Sequence, residues 1–328
     1  LDVSYREAFQ RDGQGLAATK RLRPFAQVEE PGLKDSLSGA RAALRTRDLD
    51  AREYWRRVRR RQRARAVIGE HERLDAVGAI KRFSHLASEG TFPSLSTIAA
   101  RPFLVHAGRD ASAELAAYAR TLEELFHSTG LDPQSMRRRT SETFPYDGAF
   151  LFANVLEPAA LAEELGLEAW PERAEPARAA ALQALRKLYS AARWPGGPSP
   201  YVAVVVLDGD SMGRRIAARL DEEDSAEAHR QFSRRLSEFA AEVRALERSF
   251  AHVELVYNGG DDVLALAPAA SALDFAHLAA VRFQEVTGGS ASAGIAIAHW
   301  LQPLGDALKA ARQAEERAKR VSEKAAVC

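Results

Sequence analysis

The chain has 328 residues, a formal net charge of +1 and 46% hydrophobic residues, a balance typical of a globular protein with two or three domains. Its one cysteine, Cys328, excludes an internal disulfide and a cysteine-based zinc site, and it predicts a reducing, cytoplasmic setting. The sequence contains no apolar run of membrane-spanning length and does not start with a signal-peptide pattern, so we expect no membrane association.

The first part of the chain reads as mainly helical. Glycines and prolines predict loops with short elements over 1–50. Composition and apolar spacing predict helices over 50–82, 110–128 and 158–193. Residues 84–104 are predicted to be a loop that ends in a helix cap at Ser94 or Ser96.

The segment WPGGPSP (194–200) cannot continue a helix and marks a boundary. Beyond it, the apolar pattern predicts strands at 201–207, 252–257, 263–267 and 290–298. It predicts helices at 224–250, 271–287 and 303–325. The order β-α-β-β-α-β is the split βαβ motif. We therefore predict an α+β chain with a ferredoxin-like domain at 196–328, preceded by a mainly helical domain at 51–195 and an irregular region at 1–50.

Two acidic motifs, LDGDSMG (207–213) and YNGGDDVLA (257–265), lie at the ends of the first two predicted strands. In a βαβ unit these strands run parallel, so their carboxyl ends lie at the same edge of the sheet. Four carboxylates are expected to converge there: Asp208, Asp210, Asp261 and Asp262. Gathered carboxylates need a cation, and Mg²⁺ prefers oxygen ligands and can clamp a phosphoryl transfer. The pattern predicts a metal site at this edge.

The neighbouring residues allow more than one interpretation. Gly259 and Gly260 permit positive φ and the close approach of a phosphate or base, but Asn, Gly and Asp are also common in simple turns. Asp210 either joins the metal site or caps the next helix. Gly213, at the start of that helix, is a candidate for leaving amide groups free for a triphosphate.

Three segments then resemble a known family: YVAVVVLDGDSMG (201–213), VELVYNGGDDVLALAP (253–268) and SASAGIAIAHWLQPLGDALKAARQAEERAK (290–319). They are similar to the large polymerase subunit of type III CRISPR effector complexes, in particular the type III-B (Cmr-type) version. The resemblance extends upstream through ERLDAVGAIKRF (72–83), TFPSLSTIA (91–99) and FPYDGAFLF (144–152). The matching C-terminal region resembles the second palm domain of that subunit.

The resemblance implies a palm enzyme that converts ATP into cyclic oligoadenylate on target RNA recognition. It implies that Asp208, Asp261 and Asp262 hold catalytic Mg²⁺ or Mn²⁺, with Asp210 as a further candidate. The implied nucleotide-site residues are Asn258, Gly259, Gly260, Gly213, Ser290, Ser292, Gly294, Lys309 and Lys319. The alternatives are that the small strand residues pack beneath a helix and that the lysines are solvated.

The resemblance also implies partners: crRNA, target RNA and other type III effector subunits. The chain lacks the His-Asp dipeptide of the family's nuclease domain, so we expect no DNase centre in it. KDSLSG (34–39) resembles the family's zinc-binding segment without its cysteines, so 1–50 is interpreted as a remnant or linker and no zinc is expected. We expect a fragment or shortened form of the family.

The basic stretch REYWRRVRRRQRAR (52–65) contains eight arginines. Such a stretch either neutralises nucleic-acid phosphates or forms a solvated helix that pairs with acidic neighbours.

Three functional hypotheses follow. The first is a cyclic oligoadenylate synthase acting within a ribonucleoprotein. The second is a palm enzyme of the diguanylate-cyclase type that uses GTP. The third is a non-catalytic scaffold subunit of a ribonucleoprotein complex.

Overall fold

The computed structural model describes residues 3–22, 30–60, 68–69, 71–84, 92–137, 144–250 and 252–320. They form two compact units. The sheet unit takes the described residues of Leu1–Phe25, Ile98–Pro102 and Ser199–Cys328, and the helical unit takes those of Ala26–Thr97 and Phe103–Pro198. The domain boundaries drawn from the sequence at 50/51 and 195/196 stay predictions. Within the described ranges, no helix is long and apolar enough to cross a lipid bilayer.

The helical unit is built around an aromatic core. Its described helices are Ala51–Arg60, Ala76–Phe83, most of Leu95–Asp110, Ser112–Thr129, Pro133–Met136, Pro158–Glu164 and Glu175–Ala191. The rings of Tyr118, Phe126 and Phe144 are fully buried, and the Tyr118 hydroxyl donates to the carbonyl of Phe150. That hydrogen bond satisfies a polar group that burial removes from water.

The continuous helix predicted for 50–82 is wrong. Residues 71–75 are not helical, and a new helix begins at Ala76. The side chain of Asp75 accepts the backbone N–H of Gly78 at 2.5 Å. A capping carboxylate thus starts a second helix inside a stretch whose composition favours one long helix.

The helix predicted for 158–193 is also divided. The first part, Pro158–Glu164, is followed by Gly166 with a positive φ of 65°. The second part, Glu175–Ala191, begins only after a short 3₁₀ turn. A glycine in the left-handed region ends the first helix, as is common just beyond a helix C-terminus.

The loop prediction for the N-terminal region is wrong over Tyr5–Leu22, which is a helix. Gly13 and Gly15 lie inside this helix. Each glycine in a helix interior lowers helix stability by about 1 kcal/mol relative to alanine. The first turn is held by tertiary contacts, since the Tyr5 hydroxyl bonds His229 Nδ1 at 2.8 Å. Contacts of this kind outweigh weak local propensities.

The KDSLSG segment forms a hydrogen-bonded turn centred on Asp35. Its Oδ1 accepts the backbone N–H groups of Leu37 at 2.9 Å and Ser38 at 2.7 Å, and its Oδ2 accepts the Ser38 hydroxyl at 2.7 Å. These bonds from Ser38 lower the pKa of Asp35 from 3.8 to about 2. Lys34 and Ala42 pair across the turn as an antiparallel bridge. The turn is therefore closed by a carboxylate.

The sheet unit contains β1 (Tyr201–Gly209), β2 (Glu254–Gly259), β3 (Asp262–Pro268) and β4 (Ala291–His299). All pairs are antiparallel, in the order β2-β3-β1-β4. Its other described helices are Met212–Glu222, Ala226–Ser249, Ala272–Thr287 and Leu304–Ala318. The predicted α+β ferredoxin-like fold with a preceding helical region is confirmed. The helix predicted for 224–250 is found at Ala226–Ser249, and the separate helix Met212–Glu222 precedes it. The side chain of Ser225 accepts the N–H of Ala228 and so caps the start of the second helix.

The two faces of the sheet are covered differently. On one face, Val205 and Leu207 join a core with Phe239 and Phe283, which come from the 226–249 and 272–287 helices. Side chains alternate along a strand, so Asp208 and Gly294 belong to the other face. A Cβ at Gly294 would overlap the backbone of the 304–318 helix at the Ala311 carbonyl and the Glu315 nitrogen. That helix therefore packs against β4 at backbone distance.

Replacement of Gly294 tests this packing. Gly294→Ala is expected to lower the free energy of unfolding by about 1–3 kcal/mol, because the new methyl group meets backbone that cannot rotate away. Urea denaturation measures the change. Gly305→Ala is the matched control, since a Cβ at Gly305 meets nothing within 4 Å. Equal effects of the two substitutions would contradict the close packing.

Removal of the Asp35 carboxylate tests the turn. Asp35→Asn is expected to cost about 1–2 kcal/mol at neutral pH, because the charged acceptor of three hydrogen bonds is lost. The folded pKa is lowered, so the stabilisation is present above the usual value of 3.8 and is lost as pH falls through about 2. Denaturation curves at several pH values should therefore converge in acid. The exposed Asp48→Asn variant should show neither effect.

Candidate metal and nucleotide site

The two acidic motifs meet at one edge of the sheet, as the topology predicted. Leu207 of β1 pairs with Val263 of β3, so Asp208 and Asp262 are the next residues on these adjoining strands. Asp208 also pairs with Ser292 of β4. Directly opposed residues share a face of the sheet. Asp208 and Asp262 therefore lie side by side on the face that carries the 304–318 helix.

The NGGDD motif forms a two-residue hairpin. Gly259 pairs with Asp262, which leaves Gly260 and Asp261 as the loop. Gly260 has a φ of 76°, a conformation that glycine adopts without strain and that tight hairpins require. The Cβ of Asp261 lies 3.0 Å from the point that a Cβ on Gly209 would occupy. Glycine at 209 thus leaves room for Asp261 against the end of β1.

Asp210 fastens β1 to β4. It is buried, its N–H donates to the carbonyl of Ser290 at 2.8 Å, and its Oδ1 accepts the hydroxyl of buried Ser292 at 2.8 Å. The N-cap position of the 212–222 helix is occupied by Ser211, whose φ is 55°. Asp210 is therefore not the cap that one interpretation of the sequence assigned, and Ser290 and Ser292 contact it directly.

Lys319 lies among the carboxylates. Its Nζ forms ion pairs with Asp208 Oδ2 and, at 2.7 Å, with Glu315 Oε1. Glu315 is only 8% exposed and lies one helical turn before Lys319. Glu315 was not among the site residues predicted from the sequence. The only signal was its i,i+4 spacing from Lys319, which solvated helix pairs share.

The electrostatics show excess negative charge at this edge. Burial raises the pKa of Glu315, and the charges of Glu316, Asp210 and Asp262 raise it further. Burial also raises the pKa of Asp261, and neighbouring Asp262 adds to the effect. A raised carboxyl pKa means that the folded chain disfavours the ionised form. A further cation at this edge would relieve that penalty.

The structure does not bring three of the predicted nucleotide-site residues to the carboxylates. The side-chain amide of Asn258 donates to the carbonyl of Ala240 at 2.7 Å and so anchors β2 to the opposite helix layer. Gly294 is covered by the 304–318 helix. Lys309 is exposed and lies about 15 Å along the helix axis from Lys319.

The donor set fits a hard divalent cation in its chemistry. Asp208, Asp261 and Asp262 offer the oxygen ligands that Mg²⁺ or Mn²⁺ prefers. In the part of the chain that the structure describes, no three His, Cys, Asp or Glu side chains are placed to hold one ion. Lys319 pairs with one oxygen of Asp208. Gly213, in the first turn of its helix, faces open space on its Cβ side.

Comparison with known proteins gives the family of this region. The family described as "Cas10/Cmr2, second palm domain" matches residues 201–328. The match takes in all four strands of the sheet. The resemblance stated from the sequence is confirmed for this region, and the carboxylate edge described above lies within the part of the chain that is similar to this palm family.

Two relatives extend the comparison. The CRISPR system Cmr subunit Cmr2 of Pyrococcus furiosus is 33% identical over 146 residues, which cover 36% of this chain and 16% of that protein. A chain of a cryo-EM structure titled as the apo state of a type III-B Cmr-beta complex matches 95% of this chain and 46% of its own length, with a TM-score of 0.52 and 14% identity. The second likeness shows a shared fold. The chain spans less than half the length of either protein.

Neutralisation of Asp261 tests the charge excess. Asp261→Asn is expected to raise the melting temperature of the metal-free chain at neutral pH by about 1–2 °C, after allowance for solvent screening of a partly exposed group. The folded pKa is raised, so ionisation costs stability as pH rises through it, and the two proteins should coincide well below the usual value of 3.8. Calorimetry against pH measures this. The exposed Asp274→Asn variant should show no gain.

Proposed function

We propose that this chain is a Mg²⁺-dependent (or Mn²⁺-dependent) nucleotidyltransferase that converts ATP into cyclic oligoadenylate when a type III-B CRISPR effector complex recognises target RNA. The observation that carries the proposal is the meeting of the LDGD and GGDD motifs at one edge of a Cas10/Cmr2-type palm sheet. Two carboxylates of these motifs, Asp208 and Asp262, are neighbours across adjoining strands.

The metal would be held by Asp208, Asp261 and Asp262. When bound, it would lower the pKa of an attacking 3′-hydroxyl and neutralise charge on the phosphates. The chain's own residues prepare the edge. Gly260 lets the hairpin turn tightly beneath Asp261, and Glu315 holds the Lys319 ammonium beside Asp208. Lys319, paired with Asp208 and Glu315, thus brings a positive charge to the place where a triphosphate would lie.

The partners proposed are the other subunits of a type III-B complex, a crRNA and a target RNA, in the cytoplasm. The support is the family of residues 201–328 and the fold shared with a chain of a Cmr-beta complex. Because the chain spans 16% of the Pyrococcus furiosus relative, the activity of the whole protein is part of the proposal.

A non-catalytic scaffold role is the second candidate, and one observation favours it. Lys319 neutralises Asp208 within the chain, so the edge can be stable without a metal. Under this alternative the carboxylates and Lys319 only fasten the 304–318 helix to the sheet. The two candidates differ in whether Mg²⁺ and ATP bind.

The test is synthesis of oligoadenylate by the assembled complex with crRNA, target RNA, ATP and Mg²⁺. Combined Asp261→Ala and Asp262→Ala is expected to reduce product by more than about 100-fold, since loss of the ligands should cost at least as much as loss of their supporting contacts. Asp274→Ala is the control and should retain full activity.

Three outcomes would contradict the proposal. Product formed from GTP in place of ATP would indicate the cyclase of diguanylate type. Equal product from the double variant and the wild type would remove the carboxylates from the reaction. Absence of product together with no calorimetric binding of Mg²⁺–ATP would support the scaffold role.

A further inference from the structure

The helical unit contains a polar cavity of about 410 Å³ beside the 51–60 helix. Its lining residues are Arg52, Trp55, Arg56, Arg59, Arg60, His71, Glu72, Arg73 and Glu168. The volume falls in the range of sites that hold small ligands or single nucleotides. All of these residues belong to the helical unit, so the cavity is separate from the carboxylate edge of the sheet unit.

The lining carries excess positive charge. Five arginines face two glutamates around the cavity. One of those glutamates, Glu72, accepts hydrogen bonds from both terminal nitrogens of Arg82 at 3.0 and 3.2 Å, and from the N–H of Gly69 at 2.8 Å. Its charge is therefore engaged by a sixth arginine that does not line the cavity. Arg56 is likewise engaged, by Glu53 Oε2 at 2.5 Å, and the lining still contains more arginines than carboxylates.

Two buried donors of the lining have no acceptor among the residues that the structure describes. Trp55 is 3% exposed, and its indole N–H has no hydrogen-bond partner. The Nε–H of Arg73 is likewise buried and without a partner, although another nitrogen of that guanidinium donates to the carbonyl of His71 at 3.0 Å. Buried donors are almost always paired in native proteins. A ligand rich in acceptor oxygens would satisfy both.

The arginines also form a row that is longer than one phosphate. Arg52, Arg56 and Arg60 are spaced four residues apart, so they follow one face of the helix over about 12 Å. One guanidinium group can donate two parallel hydrogen bonds to two oxygens of the same phosphate, which an ammonium group does less well. A strand with successive phosphates matches a row of this length, whereas a single inorganic phosphate would contact only part of it.

We propose that this cavity, with its arginine row, binds the phosphate backbone of single-stranded nucleic acid, with one nucleotide unit in the cavity and a neighbouring phosphate on the row. Arg73 and Trp55 donate to acceptor oxygens in the cavity, and Arg52 and Arg60 neutralise phosphates along the helix. Of the other arginines of the basic stretch, Arg57 pairs with Glu53 at 2.9 Å, and those at 61, 63 and 65 lie outside the described residues. The site is independent of the proposed nucleotidyltransferase.

The experiment is fluorescence anisotropy of a short labelled single-stranded RNA with the full chain, titrated at several salt concentrations without Mg²⁺ or ATP. Each neutralised phosphate contributes a slope of about −0.7 to log K against log salt for single strands. Combined Arg52→Gln and Arg60→Gln should therefore weaken binding at least tenfold and reduce the slope by about 1.4. Combined Arg109→Gln and Arg120→Gln removes the same charge from exposed positions of the same unit and should leave the slope unchanged.

A second variant distinguishes binding in the cavity from non-specific electrostatic binding to the arginines. Trp55→Phe keeps the aromatic packing and removes the N–H, so it should weaken binding several-fold with an unchanged salt slope and an unchanged melting temperature. The proposal would be overturned if the Arg52/Arg60 variant and the Arg109/Arg120 variant lost RNA affinity equally, or if no variant changed that affinity. Complete displacement of RNA by an equal concentration of ATP or inorganic phosphate would assign the cavity to a small anion and would also overturn it. The titration is repeated with a chain that carries Asp261→Ala and Asp262→Ala. Unchanged RNA binding by that chain shows that the cavity binds RNA whether or not the carboxylate site functions.

Discussion

The ion pair between Lys319 and Asp208 joins the last described helix to the end of the first strand of the sheet. Around it lie the carboxylates of Asp210, Asp261, Asp262 and Glu315, and the pKa values of Glu315 and Asp261 are raised by burial and by their acidic neighbours. Like charges that lie close together repel one another and destabilise the fold unless a cation neutralises them. Lys319 neutralises part of this negative charge. The negative charge that is left makes the edge a candidate binding site for a divalent ion.

The rest of the sheet unit positions this pair. Gly294 allows the 304–318 helix to approach β4 at backbone distance, and this approach carries Glu315 and Lys319 to the strand ends. Asp210 and Ser292 tie β1 to β4 at the same edge. The core on the other face is apolar and contains no charged side chain among its buried members. Asp208 and Asp262 lie on the opposite face, beside the 304–318 helix.

Much of this arrangement could be predicted from the sequence. The Val-rich run of β1 and the Gly-Gly-Asp-Asp hairpin are strong local signals, and strand order then places Asp208 near Asp262. Ser94 was also among the predicted caps and does cap its helix, but the loop predicted for 84–104 is wrong from Leu95 onward, where that helix begins. What could not be predicted depends on packing at a distance. The Tyr5–Leu22 helix contains two glycines, and the role of Glu315 exists only because Gly294 admits its helix.

The central claim is that the carboxylate edge binds a divalent ion together with a nucleotide. Electron paramagnetic resonance of Mn²⁺ with a non-hydrolysable ATP analogue measures this directly, because the signal of free Mn²⁺ disappears as the ion binds. The account predicts saturable uptake by the wild-type chain, competition by Mg²⁺, and a loss of at least about tenfold in affinity for Asp208→Asn. Equal uptake of Mn²⁺ by the wild-type and Asp208→Asn chains would contradict it.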